Sequence, residues 1–375
     1  MIYFDNASTT YPKPEAVYQR MDRWLRGANV NPSRGAYQLA IKAADKVFET
    51  RALLARLFNI ENPMQIIFTA NGTEALNLAL KGVLNKGDHV VTTSMEHNSM
   101  IRPIMALGEQ GVTYTIVQAD AAGLVDAKKI AAAICPKTKL VAMTHVSNVT
   151  GTLQPITEVG RLTSEKNILF LVDAAQSAGT YEVDVNKMNI DLLAAPGHKG
   201  LMGPQGTGFL YIKEGLRLET LKEGGTGNKS EILKQPETTP ERYESGSLNA
   251  PGIVGLGAGV QFILETGVEQ ILNHKQQLTT RFLRGLGGLA VNVYGKPEAG
   301  VVALNLKKFE PSEVSYLLDE AFEIATRSGL HCAPLAHESI GTGQTGALRF
   351  SFSYFNTTGE IDTALEALGK ISELA

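Results

Sequence analysis

One lysine stands at the end of an apolar run, in Pro196-Gly197-His198-Lys199-Gly200, and glycines at 203, 206 and 208 lead from it into a second apolar run over residues 209–212. A lysine in that place is either a solvated loop residue or a desolvated amine able to condense with an aldehyde cofactor. The ends of other apolar runs bear on the choice. Residues 168–172 read Ile-Leu-Phe-Leu-Val and run directly into Asp173. A carboxylate there is costly unless a cation or a ligand meets it. A protonated pyridine nitrogen is such a partner, and an aspartate that keeps it protonated turns the ring into an electron sink. The plainer alternative is an aspartate capping a helix.

Three further run ends carry polar residues of the same kind. After residues 65–69, Asn71-Gly-Thr-Glu74 opens a helix, so Gly72 and Thr73 form an anion cup at a helix N-terminus or, more simply, part of an N-cap. His97, in Ser94-Met-Glu-His-Asn-Ser99, is placed to stack on a flat ring or shuttle protons, or is an ordinary loop histidine. Asn148, before Gly151, is a donor to a phenolic oxygen or carboxylate, or part of a turn. Each signal is weak alone, but a cup, a ring-facing histidine, a donor, an acid and an amine at successive run ends are one site's worth of parts.

The elements that must position these residues follow from the periodicity. Strands are predicted at 65–69, 89–94, 113–117, 139–145, 168–172, 191–195 and 207–212, with helices between most of them. Short, near-continuous apolar strands alternating with helices imply an α/β fold with a mostly parallel seven-stranded sheet covered on both faces. Ligands in such sheets sit at the carboxyl ends of the strands. Helices are also predicted at 14–25 and 36–58, a loop at 29–35 and a long polar loop at 213–243. Helices at 252–272 and 275–286 lead into a second αβ pattern: strand 301–306, helix 311–321, a segment at 324–333, strand 348–352 and helix 360–374. The chain is read as a large domain over 15–250 and a smaller one made of 251–375 with the arm 1–14.

A length of 375 residues suits two domains, and a net charge of -3 offers no electrostatic footprint for nucleic acid or an anionic membrane surface. No basic stretch precedes an apolar run at the N-terminus, and no run approaches the roughly 18 apolar residues a membrane helix needs. Two cysteines, Cys135 and Cys332, do not make a disulfide framework. The expectation is a cytoplasmic protein in which any special role for a thiol is chemical. Cys135, just before Pro136, has no surroundings that suggest one.

On its motifs the chain resembles the class V, fold-type I pyridoxal-phosphate enzymes, and within them the cysteine desulfurases. The resemblance spans essentially the whole chain: Tyr3-Phe-Asp-Asn-Ala-Ser-Thr-Thr10, Asn71-Gly-Thr-Glu74, Glu96-His97, Ser147-Asn148, Val172-Asp-Ala-Ala-Gln176, Gly197-His-Lys199, Glu244-Ser-Gly-Ser247, Arg327-Ser-Gly-Leu-His-Cys332 and Arg349. The spacing Arg-x-Gly-x-x-Cys followed by Ala-Pro is similar to the second group of desulfurases, which carry the cysteine on a short loop.

The resemblance implies pyridoxal 5'-phosphate held covalently by Lys199, with Asp173 at the pyridine nitrogen, Gln176 at the phenolic oxygen and His97 stacked on the ring. It implies Asn148 near the phenolic oxygen and the substrate carboxylate. Gly72, Thr73 and His198 would hold the phosphate, joined by Ser247 lent from the other subunit of a homodimer. Arg349, with Arg327, would bind the substrate. Cys332 would take sulfur from L-cysteine as a persulfide, leaving L-alanine, with Arg327 or His331 favouring its thiolate. Its loop would move inward to do so, and a sulfur-acceptor protein, as in iron–sulfur cluster assembly, would follow. Pro196 stands where many relatives have a phosphate-contacting serine, and Gly72 where some have a hydroxyl residue. The rival readings are a selenocysteine lyase acting on L-selenocysteine, and a β-lyase or aminotransferase of the same fold, which needs Lys199 and Asp173 but not Cys332. A scaffold that has lost its chemistry is the non-enzyme alternative.

Overall fold

The computed structural model describes residues 1–32, 35–227 and 231–374. The arm begins with a two-residue strand, β1 (Ile2–Tyr3), followed by helices Glu15–Gly27 and Gln38–Phe58. The central sheet is then built from β2 (Ile66–Thr69), β3 (His89–Thr93), β4 (Thr113–Val117), β5 (Thr138–Thr144), β6 (Leu169–Asp173), β7 (Leu192–Pro196) and β8 (Gly208–Ile212). Their order is β2-β8-β7-β6-β5-β3-β4, and only β8 runs against its neighbours. Every residue of β3, β7 and β8 is buried, as continuous apolar strands covered on both faces require. Because β2, β3, β5, β6 and β7 share one direction, their carboxyl ends line up along a single edge.

Two strands end one residue later than the apolar runs suggest. The ladder carries on through Asp173, which pairs with Thr144 and Ala194, and through Pro196, which pairs with Gly208. Pro196 lies beyond the last β6–β7 pair, so its missing N–H is not needed there. The helical stretch expected to break near residue 273 breaks instead at Gly267, between helices Ala250–Thr266 and Val268–Gly285. Gly267 has φ 91, a conformation that ends a helix at little cost only in glycine.

Beyond these helices, β9 (Val291–Tyr294), β10 (Val301–Leu306), β11 (Ile324–Ala325), β12 (Arg327–Gly329) and β13 (Ala347–Ser351) follow. Four of them form an antiparallel sheet in the order β12-β13-β10-β9. The half-exposed edge strand β9 has no strong apolar signal, and the sequence did not predict it. β11 pairs in parallel with β1, which brings the arm back across the chain. Phe4 pins it there, fully buried against Phe352 at 5.2 Å between ring centroids in a cluster with Phe282 and Phe350. Burying one such ring stabilises by about 1.5–3 kcal/mol. Helix Ala250–Thr266 packs against helices Glu15–Gly27 and Gln38–Phe58. Among the described residues, no single helix is long and apolar enough to cross a membrane.

Candidate active site

The aligned strand ends surround one cavity. At the end of β2, Asn71 caps helix Gly72–Val83 by accepting from the Glu74 amide at 2.9 Å. The capping and anion-cup readings therefore coexist, because the cap uses the third amide and leaves those of Gly72 and Thr73 ahead of the first intrahelical bond. A Cβ on Gly72 would lie 3.0 Å from Pro196 Cδ. Glycine is what lets the helix start approach the end of β7, where Pro196 forms an apolar wall.

Beyond β3, His97 caps helix Asn98–Glu109, and its Nδ1 accepts from the Ser99 amide at 3.0 Å. The neutral ring therefore carries its proton on Nε2. Burial pushes its pKa down to about 4, helped by the nearby charges of Lys199, Arg327, Arg102 and Arg349. Ser99 joins the cup to this histidine, since its Oγ lies 2.7 Å from Thr73 Oγ1 and 2.9 Å from His97 Nδ1. Sequence reasoning missed Ser99, whose only signal was its place two residues after His97.

Asp173 is buried at the end of β6, and its Oδ1 accepts from the Ala175 amide at 2.9 Å. Burial raises its pKa, opposed by that amide and by Lys199. Lys199 follows β7 on the cavity wall, where desolvation lowers its amine to about 8, with Asp173 opposing the shift and Arg349 and Arg327 adding to it. The turn that carries it is held by the arm. The Thr10 amide (3.0 Å), Thr9 Oγ1 (3.2 Å) and Lys13 Nζ (2.6 Å) all donate to the His198 carbonyl, and Thr10 Oγ1 donates to that of Lys199 at 2.9 Å. Lys13 was not anticipated, because nothing in its local sequence points 185 residues ahead.

Gln176 lines the cavity while its Nε2 donates to the Ala7 carbonyl at 3.0 Å. Asn148 also lines it, and its Nδ2 donates to the His331 carbonyl at 2.8 Å. Arg349, only 1% exposed, donates to the Asn148 carbonyl (2.8 Å), to Asp5 Oδ1 (2.7 Å) and to Ser8 Oγ (3.0 Å). Its Nε is buried without a partner among the described residues. The arm's Asp5 as counter-ion was a third residue the sequence did not disclose.

Cys332 is exposed, and Arg327 Nη2 lies 3.5 Å from its Sγ. The Asn98 amide holds its carbonyl at 2.7 Å. Of the two residues expected to favour a thiolate, only Arg327 reaches the sulfur. His331 turns away: its Nε2 meets the Arg327 carbonyl at 3.0 Å and its Nδ1 meets His337, while burial pushes its pKa down to about 3. A neutral ring whose nitrogens are both engaged brings no positive charge to the thiol. Ser247 is exposed and apart from this cavity in its own chain. Its segment is anchored by the buried Glu244, paired with Arg51 and accepting from the Phe68 amide at 2.6 Å. Cys135 is exposed, and Thr138 Oγ1 lies 3.5 Å from its sulfur.

These residues fit pyridoxal phosphate. An amine whose charge is disfavoured suits the aldehyde, a buried carboxylate suits a ring N–H, and free amides suit a phosphate. His198, whose Nδ1 is buried without a partner among the described residues, adds a further polar atom to the cavity wall.

The Aminotransferase class-V family model matches residues 2–364. A probable cysteine desulfurase of Methanothermobacter thermautotrophicus is 38% identical over 381 aligned positions, covering 99% of this chain and 94% of that protein. One from Pyrococcus abyssi is 38% identical over 388 positions, with 99% and 94% covered. The apo structure of a cysteine desulfurase from Thermococcus onnurineus NA1 superposes with a TM-score of 0.94 at 35% identity, covering 100% of this chain and 95% of that one.

Proposed function

The chain belongs to the class-V aminotransferase family, and from that premise we propose that it is a pyridoxal-phosphate-dependent cysteine desulfurase. L-Cysteine is its substrate, L-alanine its product, and Cys332 takes the sulfur. The observation that carries this reading is Cys332 beside Arg327, on a segment tied by Asn148 to the wall that bears Lys199 and Asp173.

When bound, pyridoxal phosphate supplies an aldehyde for Lys199 and an electron sink for negative charge at the substrate Cα. The amides of Gly72 and Thr73, the Thr73 hydroxyl and His198 would hold the phosphate. Asp173 would hold the proton of the ring nitrogen, Gln176 and Asn148 would meet the phenolic oxygen, and His97 would pack its neutral ring on the cofactor. Arg349 receives the substrate carboxylate through its unpartnered Nε, with Arg327 on the same side. Lys199, its amine lowered to about 8, takes the Cα proton, and His97 carries protons through Nε2. The Cys332 thiolate attacks the substrate sulfur. As the S–S bond forms, the Cβ–S bond breaks, and its electron pair stays on carbon, which is protonated to the methyl of L-alanine.

A homodimer belongs to the same reading. Its support is a set of exposed apolar side chains, Tyr37, Leu39, Ile41, Phe48, Ile232 and Leu233, together with Ser247, which the partner subunit would offer to the phosphate cup. Exposure of Cys332 suits delivery to a sulfur-acceptor protein in the cytoplasm. The division into parts over 15–250 and over 1–14 with 251–375 goes with it, joined by helix Ala250–Thr266.

The test is alanine formation from L-cysteine by the holoenzyme and by Cys332→Ala. The variant should keep its cofactor absorbance and lose alanine and persulfide together. A variant that still forms alanine at the parent rate sinks the persulfide mechanism and leaves a lyase; selenocysteine run in parallel separates that outcome from a selenium-specific enzyme.

A further inference from the structure

Two consecutive residues, His331 with φ 49 and Cys332 with φ 57, lie in the left-handed region, and neither is glycine. L-residues enter that region rarely and stay there only when their surroundings hold them. What surrounds this pair is a line of side chains with almost no access to water: His331 is 2% exposed, His337 is fully buried and Thr342 is 3% exposed.

The line has a direction. The Arg327 carbonyl, 3.0 Å from His331 Nε2, only accepts, so that nitrogen carries the proton and His331 Nδ1 is an acceptor. His337 Nε2, 3.1 Å from it, must then donate, which makes His337 Nδ1 the acceptor of the Thr342 hydroxyl at 2.7 Å. One tautomer of each ring satisfies every atom. Burial lowers both imidazoles, His331 to about 3 and His337 to about 4, so both are neutral where this pattern holds. The relay is also grounded. His337 sits on helix Pro334–Ser339, whose Ser339 Oγ donates to Ser94 Oγ at 2.8 Å beyond the end of β3.

We propose that His337 is a positioning residue for Cys332: by donating to His331, it holds the left-handed turn that sets the sulfur beside Arg327. The bland alternative is that His337 fills space. Removing the donor leaves His331 Nδ1 buried and unpartnered, and the ring then turns to find one. The backbone of Cys332 follows, and the sulfur leaves the Arg327 guanidinium that lies 3.5 Å from it. The consequence for turnover rests on Cys332 being the sulfur acceptor; the consequence for thiol reactivity does not.

The experiment compares the holoenzyme with His337→Leu, His337→Gln, Thr342→Val and Thr342→Ser. Iodoacetamide labelling is read at the Cys332 peptide by mass spectrometry, with the Cys135 peptide as internal standard. His337→Leu is expected to slow labelling of Cys332 relative to Cys135 by about tenfold, on the scale by which a changed setting alters cysteine reactivity in general. Turnover of L-cysteine should fall in parallel, with unchanged binding of L-alanine read from the cofactor absorbance. His337→Gln places an amide N–H where Nε2–H was and should restore both readouts. Equal labelling of His337→Leu and the parent overturns the proposal. So does a glutamine variant as impaired as the leucine one, since ring volume would then be what matters. If His337→Leu does not retain cofactor, the threonine pair decides: Thr342→Val slowed and Thr342→Ser normal supports the relay, and two equal rates overturn it. Cys332→Ala retaining turnover would remove the sulfur-acceptor reading alone, because the labelling comparison judges the relay by itself.

Discussion

Lys199 and Cys332, the two residues proposed to carry the reaction, rest on two kinds of structure. Asp173 and the residues leading to Lys199 hang on the ends of β6 and β7, where a ladder of backbone bonds fixes their spacing. Cys332 lies between β12 and a six-residue helix, outside any ladder, and its backbone is held by Asn98, Asn148 and the His331–His337 relay. The first arrangement buries its charges and perturbs them strongly; the second exposes its sulfur. The difference follows from the tasks. An acid and an amine proposed to share a cofactor gain from desolvation, whereas a sulfur proposed to pass to another protein has to stay reachable.

The largest expected effect lies on the sheet side. Lys199→Ala removes the proposed attachment point and the proposed Cα base together, so alanine formation should fall by about 10²–10⁴-fold or more, on the scale of a lost general base. A loss of less than tenfold would mean that the sheet-end lysine is not the working amine, and the contrast between the two regions would collapse.

Asp5→Ala probes how the arm joins the regions, because Asp5 is the carboxylate on a guanidinium that is 1% exposed. Breaking one side of a buried pair costs about 3 kcal/mol at the low end of the usual range. Denaturant midpoints should show this, together with a higher KM for L-cysteine. An unchanged midpoint would separate the arm from the rigid part of the site.

The desolvation of Lys199 predicts a pH dependence in the cofactor-free protein. Its amine is lowered from 10.5 to about 8, so the rate of condensation with added pyridoxal phosphate should rise about tenfold per pH unit below 8 and level off above it. The unfolded chain holds this proton between about 8 and 10.5 while the folded protein does not. For this group alone, stability therefore rises with pH through that window. A condensation rate still climbing at pH 10 would show that Lys199 is solvated.

The smallest effect sharpens the contrast between the two cysteines. Cys135→Ser, at an exposed position away from the cavity, should change stability by no more than about 0.5 kcal/mol and leave turnover as it was.

Much of the sheet side was legible in advance. Apolar runs of four to seven residues that end in Asp173 or before Lys199 declare both a strand and its ligand-facing end, since burial on both faces writes itself as continuous hydrophobicity. The motifs extended this to Thr73, His97, Asn148 and Arg349. The thiol side was legible only as a motif. Its spacing named Arg327 and His331 as equal candidates, and neither periodicity nor composition shows which way an imidazole turns. Edge strand β9 was missed for a related reason, being short and half exposed with little apolar pattern to read.

The α/β architecture, the strand ends and the kinds of groups they carry follow from local periodicity and from residue types that burial makes expensive, so the chain states them outright. Which groups meet is a property of the folded chain: Lys13 and Thr10 on the lysine turn, Asp5 on Arg349, Ser99 between cup and histidine, Arg327 rather than His331 at the sulfur. Several of these contacts join residues far apart in the chain. Such pairings depend on how β1, β11 and the two sheets close on one another, and no stretch of the chain encodes that alone.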